Sequence, residues 1–126
     1  MIRIFFSTIF CISFLAPVFA EEKLTCFELR TYHTHEGQLD SLHARFRDHT
    51  VALFEKHGIT NLIYWEPVEN EEQILVYLLG YPDIAARDES WKAFRNDPVW
   101  KKAYADSTEG GKLVRKVDSV FLELTD

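Results

Sequence analysis

Cysteine is almost missing from this chain, with Cys11 and Cys26 the only two in 126 residues. Cys11 falls in a stretch that reads as a removable leader, which leaves Cys26 alone and excludes an internal disulfide. The core must therefore hold by packing, and Cys26, with no activating neighbour apparent, reads as a small strand residue in preference to a reactive thiol. Basic clusters are missing too. The 14 Lys and Arg are outnumbered by 20 Asp and Glu, for a formal net charge of −6, and the positive residues form no stripe. A phosphate backbone needs clustered cations, so nucleic acid is excluded as a partner. There is no Gly-x-Ser-x-Gly and no serine beside an obvious activating histidine, which removes the usual nucleophile. Gly110-Gly111 lacks the lysine-serine pair and the preceding strand of a phosphate loop.

Long apolar runs are equally scarce. The charge-free stretch from Ile4 to Ala16 is shorter than the roughly 20 residues a membrane span needs. With Arg3 before it and Pro17-Val18-Phe19-Ala20 after it, residues 1–20 read as a signal peptide cleaved near Ala20, with small residues at −3 and −1. The expectation is an exported protein, periplasmic or secreted, with no permanent membrane anchor. Its mature part, residues 21–126, is one domain with net charge 13 − 20 = −7 once Arg3 is lost.

What is present begins at Phe27-Glu28-Leu29-Arg30-Thr31-Tyr32, which alternates with period two. Phe27, Leu29 and Thr31 share one face; Cys26, Glu28, Arg30 and Tyr32 share the other. An acid, a guanidinium and a phenol on one strand face satisfy one another when buried, so this strand reads as covered on both sides, by helices on one and by a wet cavity or second subunit on the other. His33 to Gly37 is a polar loop. Leu39, Leu42, Phe46, Thr50, Leu53 and Phe54 recur at three and four within Gln38–His57, a long amphipathic helix ended by Gly58. Ile59–Val68 is strand-rich, Glu69 to Glu72 is a turn, and Gln73–Tyr81 is a continuous apolar run, the mark of a strand covered on both sides. Pro82-Asp83 opens a second helix through Ile84, Trp91 and Phe94; Asp97 and Pro98 restart it as a short helix carrying Val99, Trp100, Ala103 and Tyr104. Leu113 to Leu124 closes the chain as a strand.

The order βαββαβ predicts an α+β, ferredoxin-like fold: a four-stranded antiparallel sheet with the helices on one face. The other face, to which this reading assigns Arg30 and Tyr32, then needs a cover, and a face-to-face homodimer closing two sheets into a barrel supplies one.

Phe27 to Tyr32, Gly37 before the first helix, His57-Gly58 after it and Arg87 in the second helix resemble the NIPSNAP family, itself similar to the wider dimeric α+β barrel superfamily. The resemblance covers about residues 24–124. Where many relatives carry Gly-Tyr-Trp or Gly-Phe-Trp, this chain has Ile63-Tyr64-Trp65, and its following hairpin is polar where many have glycine. The resemblance implies the fold and a dimer but no single reaction. Animal members are linked to mitochondria and vesicle traffic, neither of which suits an exported chain.

The histidines invite a metal: His33 and His35 form an HxH pair, and His43, His49 and His57 lie on the long helix. The pair falls in the loop, the helical three are not spaced i, i+4, and no His-Glu-x-x-His occurs, so no metal ligand is assigned. Superfamily relatives bind haem through a pocket histidine, but none here falls on a pocket-lining strand, and no cofactor is assigned. The aromatics read either as core with satisfied polar tips or as the walls of a pocket between sheet and helices for a small hydrophobic or aromatic ligand. In the second reading Glu28, Arg30 and Tyr32 form the polar end, with Tyr64 and Trp65 as further pocket candidates. Arg87 either pairs with Asp83 on the helix surface or turns inward to Glu28 or a ligand carboxylate. Three functions follow, in order: a dimeric small-molecule-binding or interaction module, a cofactor-independent enzyme acting on a small aromatic or polyketide-like compound with a His, Asp or Glu base, and a haem- or metal-binding protein.

Overall fold

The computed structural model describes residues 21–126. The leader and its cleavage site lie outside the described residues. Strands β1 (Cys26–Thr34), β2 (Thr60–Trp65), β3 (Ile74–Tyr81) and β4 (Val114–Leu122) form one open antiparallel sheet in the order β2-β3-β1-β4. Helical segments join β1 to β2 and β3 to β4, so the predicted α+β order stands.

The first helical segment runs from Leu39 to Lys56, but not as one regular helix. Between α1 (Leu39–Arg45) and α2 (Val51–Lys56) lies a π-helical turn, Phe46–Thr50. The Thr50 hydroxyl donates to the Arg45 carbonyl at 3.3 Å. One extra residue in the turn lets Leu42, Arg45, Phe46 and Thr50 all be buried. The helix ends as its sequence requires: Ile59 N–H donates to the Phe54 carbonyl (2.9 Å), Gly58 N–H to that of Glu55 (3.1 Å), and Gly58 sits at φ +78°. Asp83 caps α3 (Ile84–Asn96) by accepting from Ala86 N–H at 2.7 Å. Asp97 does the same for α4 (Pro98–Ser107) from Val99 N–H at 2.8 Å, and also accepts from Lys56 and His57, each at 2.7 Å. The start of α4 is thereby fastened to the end of α2.

Two further sequence expectations change. β1 runs on to Thr34, so His33 is a strand residue paired with Asp118 at 2.8 Å, not part of a loop. The larger change concerns the sheet faces. Glu28, Arg30 and Tyr32 turn toward the helices, alongside Leu75, Tyr77, Leu79 and Tyr81 of β3. Phe27, Leu29 and Thr31 share the uncovered face with Ile63, Trp65, Val76, Leu78, Val120 and Leu122. The parity holds and the sides are exchanged. The reason is the polar network described below, which needs the phenols of β3 and a guanidinium from α3, and both lie on the helical side.

Because Gly58 has a left-handed φ and a Cβ there would meet nothing closer than Ser90 Oγ at 3.5 Å, replacing it costs backbone conformation and not packing. Gly58→Ala is expected to destabilise the fold by about 1–2 kcal/mol. Urea unfolding should show a lower midpoint at unchanged slope.

Candidate functional site

Glu28 is fully buried at the centre of the sheet. Its carboxylate accepts five hydrogen bonds: Arg30 Nη1 at 2.6 Å, Tyr81 Oη at 2.9 Å, Arg87 Nε and Nη2 at 3.1 and 3.0 Å, and Ser119 Oγ at 2.6 Å. The donors come from β1, β3, α3 and β4. Arg87 forks across both carboxylate oxygens, so the inward reading of this arginine is the correct one, while Asp83 serves as the cap. Trp91 Nε1 donates to Tyr81 Oη at 2.8 Å, extending the network one residue further. Burial alone would raise the Glu28 carboxyl, but the bonds from Arg87 and Ser119 and the charge of Arg30 outweigh it and bring it down to about 2.

Arg30 is the second centre. Its Nε donates to Tyr77 Oη at 2.9 Å, its Nη2 reaches Tyr32 Oη at 3.4 Å, and its guanidinium lies 4.5 Å from the Trp91 ring centre. Burial opposes its charge, yet the oxygens of Tyr77, Tyr32 and Glu28 hold it above the ordinary arginine range. Beyond Arg30 and Tyr32 opens a cavity of about 350 Å³ between sheet and helices. Its walls are aromatic, from Phe46, Phe54, Trp91, Phe94, Trp100 and Tyr104. Arg45 enters from the junction of α1 with the π-helical turn, and Arg95, Lys112, Arg115 and Lys116 stand at the rim. No carboxylate and no imidazole lines it among the described residues.

Arg45 is 6% exposed, and its guanidinium lies 5.4 and 5.3 Å from the Trp100 and Tyr104 ring centres. Nη1 donates to Ser107 at 3.2 Å, while Nε is buried without a hydrogen-bond partner among the described residues. Burial lowers its hold on its proton.

The candidates named from sequence separate accordingly. Arg30 and Tyr32 line the cavity, and Glu28 with Arg87 braces it from behind. Tyr64 stacks on Tyr77 (5.3 Å between centres), donates to Asn61 at 2.5 Å, and lines a separate shallow hollow with Trp65, which is 45% exposed on the uncovered side. Arg45 was missed because it stands one residue before the periodic position Phe46. Its only sequence signal was a charge beside the apolar stripe. The histidines do not meet: His33, His43 and His57 pair with Asp118, Glu66 and Asp97 at 2.8, 2.8 and 2.7 Å. No group of three metal-ligating side chains forms among the described residues. No histidine lines the cavity there, so the residues present do not fit a haem held by a pocket imidazole. Cys26 is buried, and burial raises its thiol, as suits an unreactive packing residue.

Glu28→Gln removes one charge from between two guanidiniums, and a broken buried pair costs roughly 3–5 kcal/mol. Because the folded carboxyl lies below its unfolded value of about 4.3, its contribution is complete above that pH and lost as pH falls through about 2. Urea melts from pH 7 to pH 2 should show wild type losing about 3 kcal/mol more than Glu28→Gln over that window. Adding Arg30→Met to Glu28→Gln should recover only part of the loss, because Arg87 still faces the vacated site. Parallel pH profiles for the two proteins would sink this account.

The family model for NIPSNAP matches residues 27–126. Among solved structures, a NIPSNAP family protein from Agrobacterium tumefaciens superposes with TM-score 0.71 at 17% identity, covering 81% of this chain and 94% of that one. An uncharacterised NIPSNAP domain protein from Burkholderia xenovorans gives TM-score 0.68 at 18% identity, covering 79% and 94%. A second Agrobacterium tumefaciens protein, described as a NIPSNAP family protein with unknown function, gives 0.69 at 14%, covering 83% and 91%. At such identities the likeness concerns the fold alone. No curated protein matches the chain. A family model that begins at the Phe27 of β1 and takes in every strand and helix of the sheet settles the affiliation, and the chain belongs to the NIPSNAP family.

Proposed function

We propose that this protein is an exported, homodimeric binding module that holds a small aromatic or hydrophobic molecule in the cavity between its sheet and its helices. The observation that carries this reading is the cavity itself. About 350 Å³, aromatic on its walls and floored by Arg30 and Tyr32, it has the size and polarity pattern of a small-ligand site. Proton transfer by a His, Asp or Glu base is the weaker reading, because no carboxylate or imidazole lines this cavity among the described residues. The dimer is supported by the uncovered sheet face. Ile63, Trp65, Val120 and Leu122 are 44–53% exposed on it, next to half-buried Phe27, Leu29, Val76 and Leu78. A continuous apolar surface of this kind is costly in water and suits a self-complementary contact. Export is supported by the leader in residues 1–20.

A thermal-shift screen of small aromatic compounds is expected to give at least one that raises the melting temperature, since a molecule bound only by the native state stabilises it. Val117→Trp, which fills the cavity rim from a position 43% exposed, should abolish that rise while leaving the protein folded. A rise that survives this substitution would move the site elsewhere. Sedimentation at micromolar concentration should give twice the monomer mass. Ile63→Lys with Val120→Lys, both exposed in the single protomer, should give a folded monomer. A wild-type monomer would end the dimer proposal, and intact mass of exported material should begin at Glu21.

A further inference from the structure

We infer that the cavity takes a small aromatic carboxylate, with the acid group on Arg45 and the ring against the aromatic walls. This rests on the reading of the cavity as a binding site and names the ligand's chemistry.

The charge distribution carries the first part. The protein is acidic overall, at −6, yet Arg30, Arg45, Arg95, Lys112, Arg115 and Lys116 surround this one cavity, and no acidic side chain lines it among the described residues. Arg30 has its obligations met by Glu28, Tyr77 and Tyr32. Arg45 does not. Its guanidinium is buried and carries a bond to Ser107, but Nε has no partner, and Asp48 and Asp106, which share a separate hollow with it, make no ion pair with it among the described residues. A buried cation with a single hydrogen bond and no counter-charge is costly to hold, and an anion that arrives with the ligand at the cavity side of the guanidinium lowers that cost.

The walls carry the second part. Trp100 and Tyr104 hold the Arg45 guanidinium at 5.4 and 5.3 Å, and Phe46 and Trp91 face the same space. A planar guanidinium fork matches a carboxylate in two parallel bonds. An inorganic anion would use the cations and leave the aromatic surface wet, whereas a neutral aromatic would use the walls and leave Arg45 unpartnered. A ring bearing a carboxylate uses both. The modest volume limits it to a single ring or a fused pair.

The test titrates the purified protein with 2-naphthoate by calorimetry and tryptophan fluorescence, with 2-naphthalenemethanol and inorganic phosphate in parallel. Expected are saturable naphthoate binding at one site per chain, affinity for the alcohol lower by about tenfold or more, and no binding of phosphate. Arg45→Met should lower naphthoate affinity by a similar factor while the melting temperature of the free protein stays level or rises, because an orphaned donor is gone. Arg45→Lys keeps the charge without the fork and should fall between; it also serves if the methionine variant fails to fold. A merely structural Arg45 would give the opposite pattern, with lower melting temperature and unchanged affinity. Equal binding of acid and alcohol overturns the carboxylate assignment and leaves the binding reading standing. Phosphate binding as well as naphthoate overturns the aromatic part. Binding of neither naphthalene compound overturns the inference, and the aromatic screen then decides separately whether the cavity binds anything.

Discussion

A carboxylate with no exposure to water must find its partners inside the protein, and the placement of Glu28 obliges most of this fold to supply them. Four residues on three strands and one helix converge on two oxygen atoms. Tyr81 must lie on the helix side of β3, Ser119 on the same side of β4, and α3 must cross at the height that delivers Arg87. Moving α3 by a residue takes away the Arg87 fork, and moving β3 or β4 takes away a hydroxyl donor, so in each case a fully buried carboxylate loses part of the hydrogen bonding that offsets its burial. The network therefore acts on register: β1 pairs with β3 and β4 in the one alignment that presents all donors at once.

The same arrangement leaves an electrical remainder. Glu28 stands between two guanidiniums and Asp88 pairs with the second of them, Arg87, at 3.1 Å, so that cluster balances, and Arg45 is the buried cation left in no ion pair among the described residues. Stacking on Trp91, Trp100 and Tyr104 lowers the cost of holding these cations away from water. It does not neutralise them. A chain negative overall would be expected to settle buried arginines with its abundant acids, and around the cavity it has not done so.

Much of this was legible in the sequence. The period of two in Phe27–Tyr32, the spacing of Leu39 to Phe54, the glycine at 58 and the Asp97-Pro98 restart led to the right elements because each rests on a local rule. Parity told which residues of β1 share a face. It could not tell which face the helices cover, since the residues of the other parity are apolar enough to look like core. The missing clue was in β3, where Tyr77 and Tyr81 are four apart and so share a face. Two phenols on one side of a covered strand require polar partners, and Glu28 and Arg30 are the partners on the neighbouring strand. The π-helical turn stayed hidden because a single extra residue in a helix leaves the spacing of apolar residues almost unchanged, and Arg45 stayed hidden with it.

Because successive residues of β1 alternate in direction, the strand ties the two sides of the molecule together. Glu28 and Arg30 look into the polar network, while Phe27 and Leu29 look out onto the uncovered face. In a dimer formed through that face, as proposed, the backbone that carries the floor of the cavity would be clamped from outside by the second protomer. Assembly and ligand binding would then stiffen the same nine residues. In that case each would lower the ordering cost of the other even without any change of shape, and the geometry of one strand would couple them.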